Sequence, residues 1–370
     1  MSPALSVWLD LSRIVAAWCV FMGHAVGLHV APVGLSGQWH RSADDAVTAF
    51  FIISGLVIAY TSERRAHEGW RGYAVARLSR VYSVAIPALL FAVAVDLVGM
   101  RINAAPYVPE WQYPRLWLYL PLHWAFLGET WLGAFYPFTV APYWSLVYEV
   151  WYYAFFGCAV FLRGWPRWLG MLLVGLLMGP RIWLLAPVWW LGVRLHRWVP
   201  RHALSPVWAR SLMGLSALLY ALYIGTGMQA GTDGASKELY AWMATVLPFP
   251  FHAGSTVHVL SDYVMAALFA LFVWGAAWSH WALPNDWARG VQRVAGYTFT
   301  FYLLHYTLLT LALACGLERV SGWTLLAIQL GVMAVTVLHA QVGEQRRAAY
   351  ARVIDRLLPG RRRGLGMTRA

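Results

Sequence analysis

The chain has 370 residues, of which 60% are hydrophobic and only 12% charged, and its mean hydropathy is +0.55. Soluble domains carry about 25% charged residues, so this balance excludes an ordinary soluble enzyme and points to an all-α, polytopic integral membrane protein. The net charge of +12 does not indicate nucleic acid, because the basic residues sit in short loops between apolar runs, where the positive-inside rule puts them.

A transmembrane helix needs about 20 mostly apolar residues. About ten spans are predicted, near 6–28, 44–61, 82–100, 144–162, 167–179, 182–196, 209–226, 258–280, 293–315 and 322–341. The first is long enough to be retained as a helix, with no clear small-residue cleavage site. The fifth and sixth are short and separated only by "GPR". Segments 116–127 and 239–251 are apolar but short and proline-flanked, and read as interfacial or re-entrant pieces. Tryptophans at segment edges, such as Trp39, Trp144, Trp281 and Trp323, suit the membrane–water boundary. With the N-terminus inside, 21 of the 28 Lys and Arg residues fall in inner segments, six fall in outer loops, and Arg13 lies in the first span. That asymmetry predicts both termini on the cytoplasmic side. The predicted organisation is a membrane domain over 1–345 and a basic cytoplasmic tail over 346–370. The stretch "RRRGLGMTR" reads as a disordered end at the anionic inner leaflet.

Ionisable groups inside spans are costly, and each is a functional candidate. Arg13 and His24 are eleven residues apart in the first span. That is about 16 Å along the axis and close to three turns, so both project from nearly one face. Arg13 reads as a snorkelling side chain or as a ligand for an anion, and His24 as a packed imidazole or a base. In "FFIISG" of the second span, Ser54 and Gly55 permit close helix contact, and Ser54 also stands as a site-lining hydroxyl. In "RLSRVY", Arg77 and Arg80 share a helix face at the start of the third span, a spacing suited to phosphate as well as to ordinary inside charge.

Glu149 in "SLVYEVWYY" lies two turns into the fourth span, with Ser145 one turn before it. Its depth predicts His24 as its partner, a carboxylate–imidazole pair able to hold one tautomer. The ninth span, "GYTFTFYLLHY", places Tyr297, Tyr302 and His305 as lining groups, with His305 a possible second catalytic residue. His339 and Glu344 read as structural. The three cysteines, Cys19, Cys158 and Cys315, have neither zinc-site nor disulfide spacing, and no metal site is expected. HExxH, P-loop and GxSxG motifs are absent from the sequence.

Taken in order, Arg13–x10–His24, "FFIISG", "RLSRVY", "SLVYEVWYY" and "GYTFTFYLLH" resemble the membrane-bound acyltransferase-3 family over about residues 7–345. The sequence departs mildly from that pattern near Tyr82, where many relatives have a proline, and at Thr298, where a serine is common. The resemblance implies transfer of an acyl group, usually acetyl from acetyl-CoA, to a hydroxyl of an envelope carbohydrate at the bacterial inner membrane. Under it, His24, Glu149 and Arg13 would be catalytic, with His24 as general base or acyl carrier. Arg77 and Arg80, with Arg13, would bind the acyl-CoA phosphates, and Ser54, Ser145, Tyr297, Tyr302 and His305 would line the path. The expected partners are the lipid bilayer, acyl-CoA and a carbohydrate acceptor, and no nucleic acid. A transporter or flippase of a glycan or lipid-linked intermediate is the reading from another class. A membrane scaffold accounts poorly for the buried polar groups.

Overall fold

The fold is taken from a computed structural model, which describes residues 3–35, 38–107, 110–131, 135–249 and 251–359. Among the described residues the regular structure is entirely helical. It comprises α1 (Pro3–Gly27), α2 (Gln38–Arg64), α3 (Gly69–Ile102), the short α4 (Leu116–Trp124), α5 (Tyr143–Phe161), α6 (Trp165–Trp198) and α7 (Pro206–Gly225). There follow α8 (Met228–Val246), α9 (Val259–Trp278), α10 (Asn285–Ala295), α11 (Thr298–Ala314), α12 (Gly322–Ala340) and α13 (Arg347–Leu357).

Seven of these helices are long and apolar enough to cross a membrane, or eight if the bent pair α10–α11 forms one span. The expected ten differ from this in identifiable ways. α5 has the length, at 19 residues, but six tyrosines and tryptophans together with Glu149 hold its hydropathy down. α6 is a single element broken at Gly179, whose φ of 75° is left-handed. Trp183 Nε1 donates to Gly175 O at 2.8 Å. A straight helix would separate residues 175 and 183 by about 12 Å along its axis, and the kink at Gly179–Pro180 shortens that distance enough for the contact. Its two arms occupy the regions expected as separate spans at 167–179 and 182–196.

The second arm of α6 crosses α2 with backbone against backbone. A Cβ on Gly55 would lie 2.1 Å from Trp189 O, and one on Gly192 would lie 2.1 Å from Ile52 O. Small residues on both helices are what allow this approach, the usual solution where apolar side chains gain little by leaving lipid. The contact seats Trp189, which is fully buried, against α5. α11 is buried along most of its length, with Thr300, Leu303, Leu304, His305 and Thr307 inaccessible. α12 exposes Leu330, Leu338 and Trp323.

The region expected as a basic tail from 346 begins differently. Residues Arg347–Leu357 form α13, docked on the N-terminal part of α3. Arg71 Nε pairs with Asp355 Oδ1 at 2.9 Å, Arg71 Nη1 donates to Leu358 O at 2.8 Å, and Arg347 Nη2 donates to Ala76 O at 2.7 Å. An acidic residue within the basic stretch thus anchors it. "RRRGLGMTR" lies outside the described residues.

Candidate active site

α1 carries Arg13 and His24 into two different polar neighbourhoods. Arg13 Nη1 donates to Asp10 Oδ1 at 2.7 Å, one turn earlier on the same helix. Its guanidinium then faces a cleft shared with Ser54, Arg80, Ser145, Glu149 and Tyr302, floored by Phe50, Phe51 and Phe299. The cleft is narrow. Its volume is about 70 Å³, room for a few waters or a slim chain but not for a sugar ring.

Glu149 is the anionic centre of this cleft. Ser54 Oγ and Tyr153 OH both donate to its Oε1, and Trp189 Nε1 donates to Ser54 Oγ at 3.2 Å. The glycine-mediated approach of α2 and α6 therefore delivers the indole that orients Ser54. Arg13, Arg77 and Arg80 all lie within electrostatic reach of Glu149. Arg77 donates to Thr61 Oγ1 at 3.3 Å and stacks over Tyr153 at 5.9 Å. Arg80 rests over the Phe299 ring at 5.7 Å and makes no hydrogen bond with a described residue. Its five donor positions are thus available to an anion arriving from outside the fold.

His24 lies elsewhere. Its Nδ1 is 2.7 Å from Nε2 of His305, and the two rings are nearly parallel, at 16°. His305 is fully buried, whereas His24 is half-buried and edged by Tyr306. The backbone fixes the protons of this pair. Phe301 O lies 3.2 Å from His305 Nδ1. A carbonyl only accepts, so Nδ1 of His305 carries the proton and its Nε2 presents a lone pair. His24 Nδ1 must then donate to that lone pair, which places the basic electron pair of neutral His24 on Nε2.

The expected His24–Glu149 pair does not form. Glu149 is six residues inside the start of α5, about 9 Å deep, whereas His24 is three residues from the end of α1, about 4.5 Å deep. α11 closes the gap by bringing His305 beside His24. Tyr302, one turn before His305, joins the two neighbourhoods. Its hydroxyl lies 2.8 Å from Ser145 Oγ, and Ser145 donates to Pro142 O at 3.0 Å, so Tyr302 is the donor to Ser145. The Tyr302 ring lies 6.1 Å from that of His305.

Of the sequence-derived candidates, Arg13, Ser54, Arg80, Ser145, Glu149 and Tyr302 share the cleft, Arg77 stands beside it, and His24 and His305 form the pair. Tyr297 joins neither. It lines an apolar groove with Val15, Trp18 and Arg293. His339 packs against Phe91, and Glu344 accepts from Thr300 Oγ1 at 2.7 Å. Asp10 and Tyr153 were not singled out from the sequence. Their spacing from Arg13 and Glu149, i−3 and i+4, is the signal that finds them.

Two further buried polar groups flank the site. In the loop after α4, Glu129 faces Arg181 at 3.4 Å without an aligned hydrogen bond, and burial pushes its carboxyl up to about 7 against the pull of Arg181. On α4, burial lowers His123 to about 4, which keeps it neutral among Tyr119, Phe138 and Tyr143. Among the described residues no group of His, Cys, Asp and Glu is arranged to hold a metal ion.

Compared with known proteins, the chain matches neither a curated protein nor a solved structure. One family model, described as an acyltransferase domain, matches residues 6–341, nearly the whole chain. With helices able to span a bilayer and a polar cleft beside an oriented histidine pair, the chain belongs to the membrane acyltransferase-3 family and is an acyltransferase.

Proposed function

We propose that the protein transfers an acyl group, acetyl in the simplest case, from cytosolic acyl-CoA to a hydroxyl of an extracytoplasmic carbohydrate acceptor at the bacterial inner membrane. The observation that supports this most directly is the tautomer chain Phe301–His305–His24, in a chain of this family. The distribution of Lys and Arg supports a topology with both termini, Arg77 and Arg80 at the cytoplasmic side. The donor's phosphates bind the guanidiniums there, and the pantetheine arm enters the narrow cleft past Arg80, Arg13 and Glu149 toward Tyr302. The acceptor approaches His24 from the opposite side.

His24 is the general base. As the acceptor oxygen attacks the thioester carbonyl carbon, Nε2 takes the hydroxyl proton. The carbon–sulfur bond then breaks, CoA leaves as thiolate, and the imidazolium returns the proton to that thiolate. His305 is the positioning residue. It holds His24 Nδ1–H and stacks no second charge against the imidazolium. Glu149 balances the cationic cleft rather than the base.

The reading is tested with the purified full-length protein in vesicles, given radiolabelled acetyl-CoA and a glycan acceptor. The expected result is label on the acceptor with stoichiometric CoA release. Movement of the acceptor across the vesicle without CoA consumption would overturn it in favour of transport. Label retained on His24 before acceptor is added would replace base catalysis with an acyl carrier.

A further inference from the structure

α13 and the N-terminal turns of α3 enclose an open groove at the arginine end of the bundle, outside the cleft described above. Arg65, Arg71 and Arg347 line it, with Ser79 and the small residues Gly72 and Ala76. Its volume is about 590 Å³, far more than the cleft offers. Its carboxylates are Glu68 and Asp355. Asp355 is already paired with Arg71, and Glu68 lies 3.8 Å from Arg65. Arg77 and Arg80 add their charge from the neighbouring turns and lie within electrostatic reach of Arg347. Three guanidiniums therefore line a groove holding two carboxylates, and Arg77 and Arg80, which answer to Glu149 in the cleft, stand on the neighbouring turns of α3.

Such a surfeit of fixed positive charge costs free energy through self-repulsion unless an anion fills it. Guanidinium forks match phosphate oxygens. A groove of this width, floored by small residues, suits a planar base with attached phosphates. Resting on the acyl-CoA reading above, we propose that this α3–α13 groove holds the phosphorylated adenosine end of the donor, with Arg347 and Arg65 as phosphate ligands that the sequence pattern does not reveal. Arg65 lies just before the start of α3, and Gly69 and Arg80 are about 17 Å apart along that helix, so the nucleotide and the thioester would occupy the groove and the cleft at once. α13 thereby becomes part of the donor site rather than a tail.

The test uses the full-length protein in zwitterionic nanodiscs and calorimetric titration with CoA. Each lost guanidinium contact should weaken CoA about tenfold, so Arg65→Ala/Arg347→Ala should raise its Kd about a hundredfold. Turnover of S-acetylpantetheine, which lacks the nucleotide, should be unchanged. Adenosine 3′,5′-bisphosphate should compete with CoA in the wild type and not in the variant. Arg65 is 61% exposed and has no distant ion pair, so Arg65→Ala alone leaves folding intact and should still cost about tenfold. An unchanged CoA Kd in either variant would overturn the assignment. So would a parallel fall in S-acetylpantetheine turnover, which would show that α13 merely props the cleft. A lipid phosphate as the occupant would appear as loss of co-purifying anionic lipid from the variant with CoA affinity retained, and would equally overturn it. If the wild type transfers acyl groups from acyl-CoA while the variants bind CoA normally, only the groove assignment fails. If the wild type neither binds nor consumes acyl-CoA, the donor reading itself fails.

Discussion

The two polar neighbourhoods reached by α1 solve the problem of buried ionisable groups in opposite ways. Around Glu149, charge is met by charge, with hydroxyls of Ser54 and Tyr153 on one oxygen and three arginines within electrostatic reach. Around His24, the partner is a neutral imidazole whose own proton is committed to a backbone carbonyl. The first arrangement suits an anionic ligand, because Arg80 makes no hydrogen bond with a described residue and keeps its donors for one. The second suits a base, because the lone pair of His305 fixes which nitrogen of His24 takes the proton.

The largest effect should come from His24→Ala. Acyl transfer should fall 10²–10⁴-fold, the usual worth of general-base catalysis, while CoA affinity is unchanged. Wild-type transfer rates in that variant would remove His24 from the chemistry altogether. His305→Ala should cost about 10–100-fold in kcat and move the pH profile, because His24 loses the acceptor that holds its tautomer. His305→Gln should recover part of the loss, since an amide oxygen can accept from His24 Nδ1–H. The His24/His305 double variant should be little worse than His24→Ala, as expected of residues acting as a unit. Glu149→Gln should mainly change KM for the donor, by about tenfold or less, with an unshifted pH profile. A shift in that variant as large as in His305→Ala would reunite the two neighbourhoods that the geometry separates.

Glu129 sharpens the contrast from outside both. It faces a guanidinium without hydroxyl donors, and burial raises it to about 7 from the usual 4.5. A carboxyl raised in the folded state stabilises most below its unfolded pKa, and that stabilisation is lost as pH climbs through the folded value. Thermal stability should therefore decline between about pH 4.5 and 7, by at most about 3 kcal/mol. Glu129→Gln should flatten the decline in a melting series across that window.

Much of this was legible in the sequence. Hydropathy predicted the helical membrane architecture, and the polar residues inside apolar runs gather in two places, Arg13, Ser54 and Glu149 in the cleft and His24 with His305 beside it. Local patterns carry such information because burying polar groups in lipid has to be compensated wherever it happens. Pairing was the part that could not be read. Glu149 and His24 looked equally deep when spans were counted from their apolar limits, but α5 starts at Tyr143 and α1 ends at Gly27, and those few residues decide which neighbours meet. Tyr297 sits one residue outside α11 and turns to another groove. α13 was read as a tail because its docking depends on Arg71, far away in sequence. Span counting likewise treated α5 by its flanks, although its aromatic hydroxyls and indoles depress its hydropathy.

The hydrogen bond from His305 to Phe301 has a consequence for bioenergetics. A proton passed from His24 to His305 goes no further on that side, because a peptide carbonyl accepts a hydrogen bond but does not take up the proton and pass it on. On its His305 side the imidazole pair is therefore an electrical dead end. A cell could keep such a base in its energised bilayer without short-circuiting the proton gradient through it.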